Sequence, residues 1–125
     1  MTFHDGTSFN ASVAKHSLSR AWEQPSVLGK APIAGITKGE NSVVFTLKKP
    51  FAALPALLAH ATAIVTALSA FDTEGNLSSF VGTGPFKVTK FTPLQSIELS
   101  HNDTYWGDAP DIETVNYLAD SRAET

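Results

Sequence analysis

Histidine has the widest chemical range of any residue here, and it occurs four times, at positions 4, 16, 60 and 101. A neutral imidazole ligates metals and a charged one hydrogen-bonds carboxylates. The spacing assembles no metal centre. No two histidines stand four apart on a helix, and only His4 has an adjacent acid, Asp5. Neighbours on a strand point to opposite faces, so His4 and Asp5 are poorly placed to share one ion. His16 falls on the solvent face of its helix. His60 stands at a helix end, where histidine complements the dipole. His101 closes the row Ile97, Leu99, His101 on one strand face and reads as a half-buried histidine with a backbone partner. No metal and no cofactor are expected.

Nucleophilic chemistry is no better supported. The sequence has no G-x-S-x-G elbow, and no nucleophile, base and oxyanion donors can be grouped from it. It has no cysteine, which excludes disulfides, thiolate chemistry and cysteine-ligated zinc. The stretch VGTGPFKVTKF, from Val81 to Phe91, raises the question of a phosphate loop. Its glycines have the wrong spacing, and Pro85 leads into a strand and not into a helix N-terminus that would hold an anion. The stretch reads as a rigid turn, with glycine permitting positive φ and proline tolerated at the first residue of a strand. In HNDTYWGDAP, Tyr105 and Trp106 form either a binding platform or an anchor. The anchor is expected, with the indole burying a large area and its N–H finding a carbonyl.

These residues sit in a globular composition, with 42% apolar and 17% charged residues. At 125 residues the chain is expected to form one domain, 1–125. A net charge of −3 without a basic run argues against nucleic acid and against anionic membrane surfaces. No stretch approaches the roughly 18 apolar residues of a membrane span. FAALPALLAHATAIVTAL comes nearest and is interrupted by Pro55 and His60. MTFHDGTSF has no signal-peptide pattern. It starts almost inside a structural element, and LADSRAET stops without a finishing one, so the chain reads as a piece of something longer.

The elements follow from periodicity and punctuation. Phe3 to Phe9 is a strand end and a turn at Asp5-Gly6. Asn10 caps a helix from Ala11 to about Trp22, with Ala14, Leu18, Ala21 and Trp22 on one face. Pro25 and GKAPIAG form a linker. NSVVFTLKKP is a strand, with Val43, Phe45 and Leu47 alternating against Ser42, Thr46 and Lys48. FAALPALLA is a short helix whose Pro55 lies near the first turn. TAIVTAL is expected as a buried strand, followed by a polar loop from Asp72 to Ser79. Phe86–Phe91 and Ser96–His101 form a hairpin, and a last strand runs from about Glu113 to Ala119. The sum is an α+β domain with a mainly antiparallel sheet and two or three helices.

The blocks FHDGTSFNA, HSLSRAW, VVFTLKKPFAALPALLA, VGTGPFKV and HNDTYWGDAP, in this order, resemble the peptide/nickel solute-binding proteins of ABC importers. The Gly-Thr-Gly-Pro-Phe turn and the Asn-x-x-Tyr-Trp-Gly loop are the most specific blocks. The resemblance implies a subdomain of the N-terminal lobe of a two-lobed periplasmic binding protein that holds solute between its lobes without catalysis. It implies a periplasmic or extracytoplasmic location, compatible with a lipoprotein tether. The implied partners are a peptide or nickel-chelate solute, the membrane permease of an ABC importer, and the remainder of a parent chain. It places His60, Thr62 and His101 as the candidate solute contacts, and it makes the GTGP turn scaffold. Two features depart from the family pattern: Ala11-Ser12-Val13-Ala14 where Ala-Glu-Asp-Val is usual, and His101 where many members carry Arg or Lys. The short linker after the first helix is more similar to the nickel-type branch. The alternative class is a free-standing α+β interaction domain.

Overall fold

The computed structural model of the chain describes residues 1–119. Tertiary contacts divide the chain into two compact units. One is Phe9–Leu68; the other joins Met1–Ser8 to the chain from Ser69 onward. The described residues contain two α-helices and two antiparallel sheets, so the chain is α+β, as expected. No helix among them is long and apolar enough to cross a membrane.

The unit Phe9–Leu68 opens with α1 (Ala11–Glu23). The Asn10 side chain accepts the N–H groups of Ser12 (2.9 Å) and Val13 (3.1 Å), so the first turn is capped without any acidic residue. Val13, Ala14, Ser17, Leu18 and Ala21 form its buried stripe. A 3-10 turn, Leu28–Lys30, then places Leu28 wholly inside.

The expected linker is in part a strand. β1 (Ile33–Lys38) pairs antiparallel with β2 (Val43–Leu47), and Pro32 accepts the Lys48 N–H. The sequence hid β1 because its buried residues, Ile33 and Ile36, are three apart. The register shifts between Ile33 and Gly35, leaving Ala34 as an extra residue. That bulge turns both isoleucines to one face, where strict alternation would split them. β2 follows the expected alternation, with Val43, Phe45 and Leu47 half-buried and Val44 and Thr46 exposed.

α2 (Leu54–Leu58) carries Pro55 within its first turn, where a missing N–H costs no helical bond. Trp22, Phe45, Leu47, Phe51, Leu54, Leu57 and Leu58 pack on a core of Leu18, Ala21, Leu28, Ala31, Ile33, Ile36 and Ala63. TAIVTAL, expected as a buried strand, is buried in part but is not a strand. Ala61–Ala63 is a 3-10 turn, and Ala63, Thr66 and Ala67 are interior without a ladder partner. One side chain replaces the ladder. The Ser17 hydroxyl accepts the Thr66 N–H and donates to the Thr66 carbonyl, both at 3.2 Å.

In the other unit the N-terminal segment closes a tight loop, with a bridge between Thr2 and Ser8 and Gly6 at φ 83°. A second small hairpin pairs Phe71 with Leu77. Asp72 shapes its tip, with Oδ1 accepting the N–H groups of Glu74 (2.9 Å) and Asn76 (2.8 Å).

The main sheet follows: β3 (Phe86–Thr92), β4 (Ser96–His101) and β5 (Thr114–Leu118), antiparallel in that order. A bulge again sets the phase. Val88 pairs with Leu99 and Phe91 with Ile97, and the extra residue Thr89 lies between them. Its hydroxyl donates to the Glu98 carbonyl (3.0 Å). Without that insertion Phe91 would face away from Val88.

Candidate functional site

Two segments, the N-terminal one and the loop after β4, converge on the Val81–Pro85 turn. From the N-terminal segment, the His4 N–H donates to the Gly82 carbonyl (2.9 Å). The His4 ring makes two further bonds: Nδ1 accepts the Gly82 N–H (3.3 Å) and Nε2 donates to the Gly84 carbonyl (3.0 Å). A carbonyl only accepts and a backbone N–H only donates, so this geometry fixes the Nε2–H tautomer.

From the loop after β4, Asn102 is 2% exposed and does the same from the other side. Its Nδ2 donates to the Gly84 carbonyl (3.2 Å), and its backbone N–H donates to the Pro85 carbonyl (2.8 Å). Its Oδ1 accepts the Thr104 N–H (3.3 Å) and hydroxyl (3.0 Å), which closes the loop on itself. The Trp106 indole N–H then donates to the Thr83 carbonyl (3.1 Å).

The turn is therefore held through its own peptide groups, and this corrects the reason for its glycines. Neither Gly82 nor Gly84 adopts positive φ; among the described glycines only Gly6 and Gly75 do. An added Cβ would meet His4 Cε1 at an ordinary contact distance of 3.6 Å at Gly82 and open space at Gly84, so side-chain room does not demand glycine at either position. A Cβ at Gly107 would stand 2.8 Å from the Tyr105 ring, so a larger residue there would have to displace that ring.

Trp106 is a partial anchor. Its N–H finds a carbonyl as expected, but the residue is 61% exposed and does not bury the large area expected of it. The Tyr105 and Trp106 rings lie 5.2 Å apart at 51°.

His4 and Asp5 lie in a turn and not on a strand, and they engage different partners. Asp5 Oδ1 accepts the Thr7 N–H (2.9 Å) and hydroxyl (2.6 Å), and Oδ2 accepts the Ser69 hydroxyl (2.5 Å). Slight burial works against its charge, but these hydrogen bonds outweigh it and hold the carboxyl below its ordinary range. Among the described residues no three His, Cys, Asp or Glu side chains gather as a metal set.

The candidate contacts fall in different units. His60 and Thr62 come together in Phe9–Leu68, where both are exposed. His60 Nδ1 accepts the Thr62 N–H (3.2 Å) and lies 3.0 Å from its hydroxyl, capping the 3-10 turn. His101 belongs to the other unit and is half-buried at the end of β4, where its N–H donates to the Glu113 carbonyl (2.8 Å). Its ring Nε2 pairs with Asp103 Oδ1, a side-chain partner in place of the expected backbone one. Asp103 and the structural role of Asn102 were not read from the sequence. The signal was present in Asn102-Asp103-Thr104, a run of residues whose short polar side chains bond nearby backbone.

The profile of the bacterial extracellular solute-binding proteins, family 5 Middle, matches residues 1–124. The glutathione-binding protein GsiB of Escherichia coli K12 is 29% identical over 123 residues, which is 92% of this chain and 24% of that protein. The nickel ABC transporter structure from Bacillus halodurans superposes with a TM-score of 0.80 at 27% identity, covering 94% of this chain and 24% of that one. The binding protein AgaA of A. tumefaciens R10, in complex with agropinic acid, gives 0.79 at 29% identity, covering 94% and 26%. The chain thus spans about a quarter of the length of these relatives. With the GTGP turn, the Asn102 loop and the His4 segment locked into one network and the profile running across them, the chain belongs to the bacterial extracellular solute-binding proteins, family 5, a family of binding proteins and not of enzymes.

Proposed function

We propose that this chain is part of the solute receptor of an ABC importer, residues 1–125 being one domain of a longer polypeptide that closes two lobes over its ligand. The observation that carries this reading is the family match over residues 1–124, whose most specific blocks lie in the network around Val81–Pro85. The receptor works outside the cytoplasmic membrane, in the periplasm or tethered as a lipoprotein, and hands its solute to a membrane permease. The solute is a peptide or a nickel chelate. Glutathione, which the relative GsiB binds, is a peptide, and a nickel transporter shares the fold.

His60, Thr62 and His101 are the proposed contacts. Thr62 engages Nδ1 of His60, so a solute meets that ring at Nε2. Asp103 engages Nε2 of His101 and leaves Nδ1 as the ligating nitrogen, the orientation a carboxylate imposes on metal-binding histidines. The test is ligand-dependent thermal shift of the longer parent against peptide and nickel-chelate panels, with His101→Ala alongside. Stabilisation by one panel, lost in the variant without a lower unliganded melting temperature, supports the reading. A parent indifferent to both panels sinks it.

A further inference from the structure

We propose that the unit Phe9–Leu68 carries an anion site between α1 and the end of β1, suited to a phosphate group. Ser12, Lys15, His16, Ser19 and Lys38 line an open hollow of about 330 Å³ there. Ser12, Lys15, His16 and Ser19 stand three, one and three apart on α1, so they form one stripe along the helix. Lys38 ends β1 and closes the hollow from the side. Two positions past the buried Ile36, it shares that residue's strand face. The sequence conceals this grouping, because no basic run joins Lys15 to Lys38 and only the packing of β1 beside α1 brings them to one hollow.

Lys15 and Lys38 bring positive charge, Ser12 and Ser19 add hydroxyl donors, and no acid lines the hollow. The chain as a whole is net −3, yet nothing balances this corner. The first turn of α1 has no acidic residue, and the helix has none before Glu23 at its far end. Among the described residues neither Lys15 nor Lys38 has a carboxylate in ion-pair reach. Two ammonium groups facing one hollow repel each other, and an anion between them turns that repulsion into attraction. A phosphate group carries about −1.5 to −2 at neutral pH and three acceptor oxygens, which matches two ammoniums and two hydroxyls better than a single carboxylate does. Lysine holds phosphate as a point charge, so no bidentate geometry is required. The negative net charge disfavours an extended anionic surface and leaves a small phosphate as the fitting occupant. All five residues lie in one unit, and the site does not depend on the receptor reading.

The test is a titration of the 125-residue chain with inorganic pyrophosphate at low ionic strength, followed through its amide resonances. Saturable shifts are expected at Ser12, Lys15, Ser19 and Lys38. The paired substitution Lys15→Ala and Lys38→Ala should weaken binding several-fold, with far-UV circular dichroism unchanged, and the pair Lys15→Arg and Lys38→Arg should retain it. Lys48→Ala, an exposed lysine outside the hollow, should bind as the unsubstituted chain does. Raising the salt to about 0.15 M should loosen the complex, because the lysines are not deeply buried. If the paired alanine variant does not fold, Lys38→Gln alone carries the comparison. Shifts that never saturate overturn the proposal, as do equal shifts from sodium chloride at matched ionic strength. So does an affinity indifferent to the lysine pair. Binding to phosphatidylglycerol vesicles without any response to pyrophosphate also overturns it, since an extended surface is then the partner.

Discussion

His4 and Asn102 reach the same oxygen, the Gly84 carbonyl, from opposite ends of the chain. His4→Ala leaves the half-buried Gly82 N–H without its ring acceptor and should cost about 1–3 kcal/mol in urea melts. Asn102→Ala leaves the Gly84 carbonyl bonded to His4 and should cost about 0.5–1.5 kcal/mol. Because they share an acceptor, the double variant should depart from additivity by about 0.5–3 kcal/mol. Strict additivity would show that the two bonds stabilise independent segments. Trp106 is a milder case. Its indole is mostly in solvent, so Trp106→Phe should lose little beyond the bond to the Thr83 carbonyl, about 1 kcal/mol. A loss several times larger would mean that the ring anchors far more than its exposure indicates.

Among the elements, the β3–β4 hairpin carries a visible flaw at its tip. Leu94 adopts φ 61° and is 96% exposed, so it takes on left-handed strain without burying its side chain. Asparagine tolerates that conformation far better than leucine does. Leu94→Asn should therefore raise stability by about 0.5–1 kcal/mol, seen as a higher denaturant midpoint at unchanged slope. A lower midpoint would show that Leu94 makes a contact that its exposure conceals. The bulges at Ala34 and Thr89 act on the same scale. Each inserts one residue so that apolar positions three apart share a face, Ile33 with Ile36 and Val88 with Phe91. In β1 the bulge also erases the period-two pattern by which a strand is read from sequence, whereas β3 stayed legible through Phe86, Val88 and the strand that follows it.

For the whole molecule, pH dependence is set where carboxylates shape loops. Hydrogen bonds from the Asn76 backbone, with others from Glu74, hold the Asp72 carboxyl below its ordinary range. Asp5 is lowered too, its slight burial outweighed by Ser69 and Thr7. A carboxylate with a depressed folded pKa contributes stability that is complete above its unfolded value and lost as pH falls through the folded one. Melting temperature should thus be flat from neutral pH down to about 4 and fall below it. Asp72→Asn should reduce the difference between pH 7 and pH 3. An equal acid-induced drop in the variant would assign the loss to other groups. Solute binding belongs to this scale as well. The unaided 125-residue chain should bind peptide or nickel chelate no tighter than millimolar, about 4 kcal/mol, since enclosure between lobes supplies most of the contact. Micromolar binding in calorimetry would contradict the two-lobe reading.

What the sequence determined by itself was local. Asn10 declared a helix start because its side chain satisfies donors two and three residues away. Pro55 marked a first turn, and the alternation of Val43, Phe45 and Leu47 fixed which face of β2 turns inward. The α+β class followed from such signals. The tertiary structure decided what depends on a distant partner. TAIVTAL reads as a strand by composition, yet Ser17, 49 positions away, takes both of Thr66's backbone groups and removes the need for a ladder. β1 was invisible because its bulge has meaning only opposite β2. The glycines of the GTGP turn looked like φ requirements, yet neither adopts positive φ, and what holds Gly82 is the ring of His4, 78 positions away. Short-range hydrogen bonds and periodicity are written along the chain, whereas a close approach between distant segments exists only once both are folded.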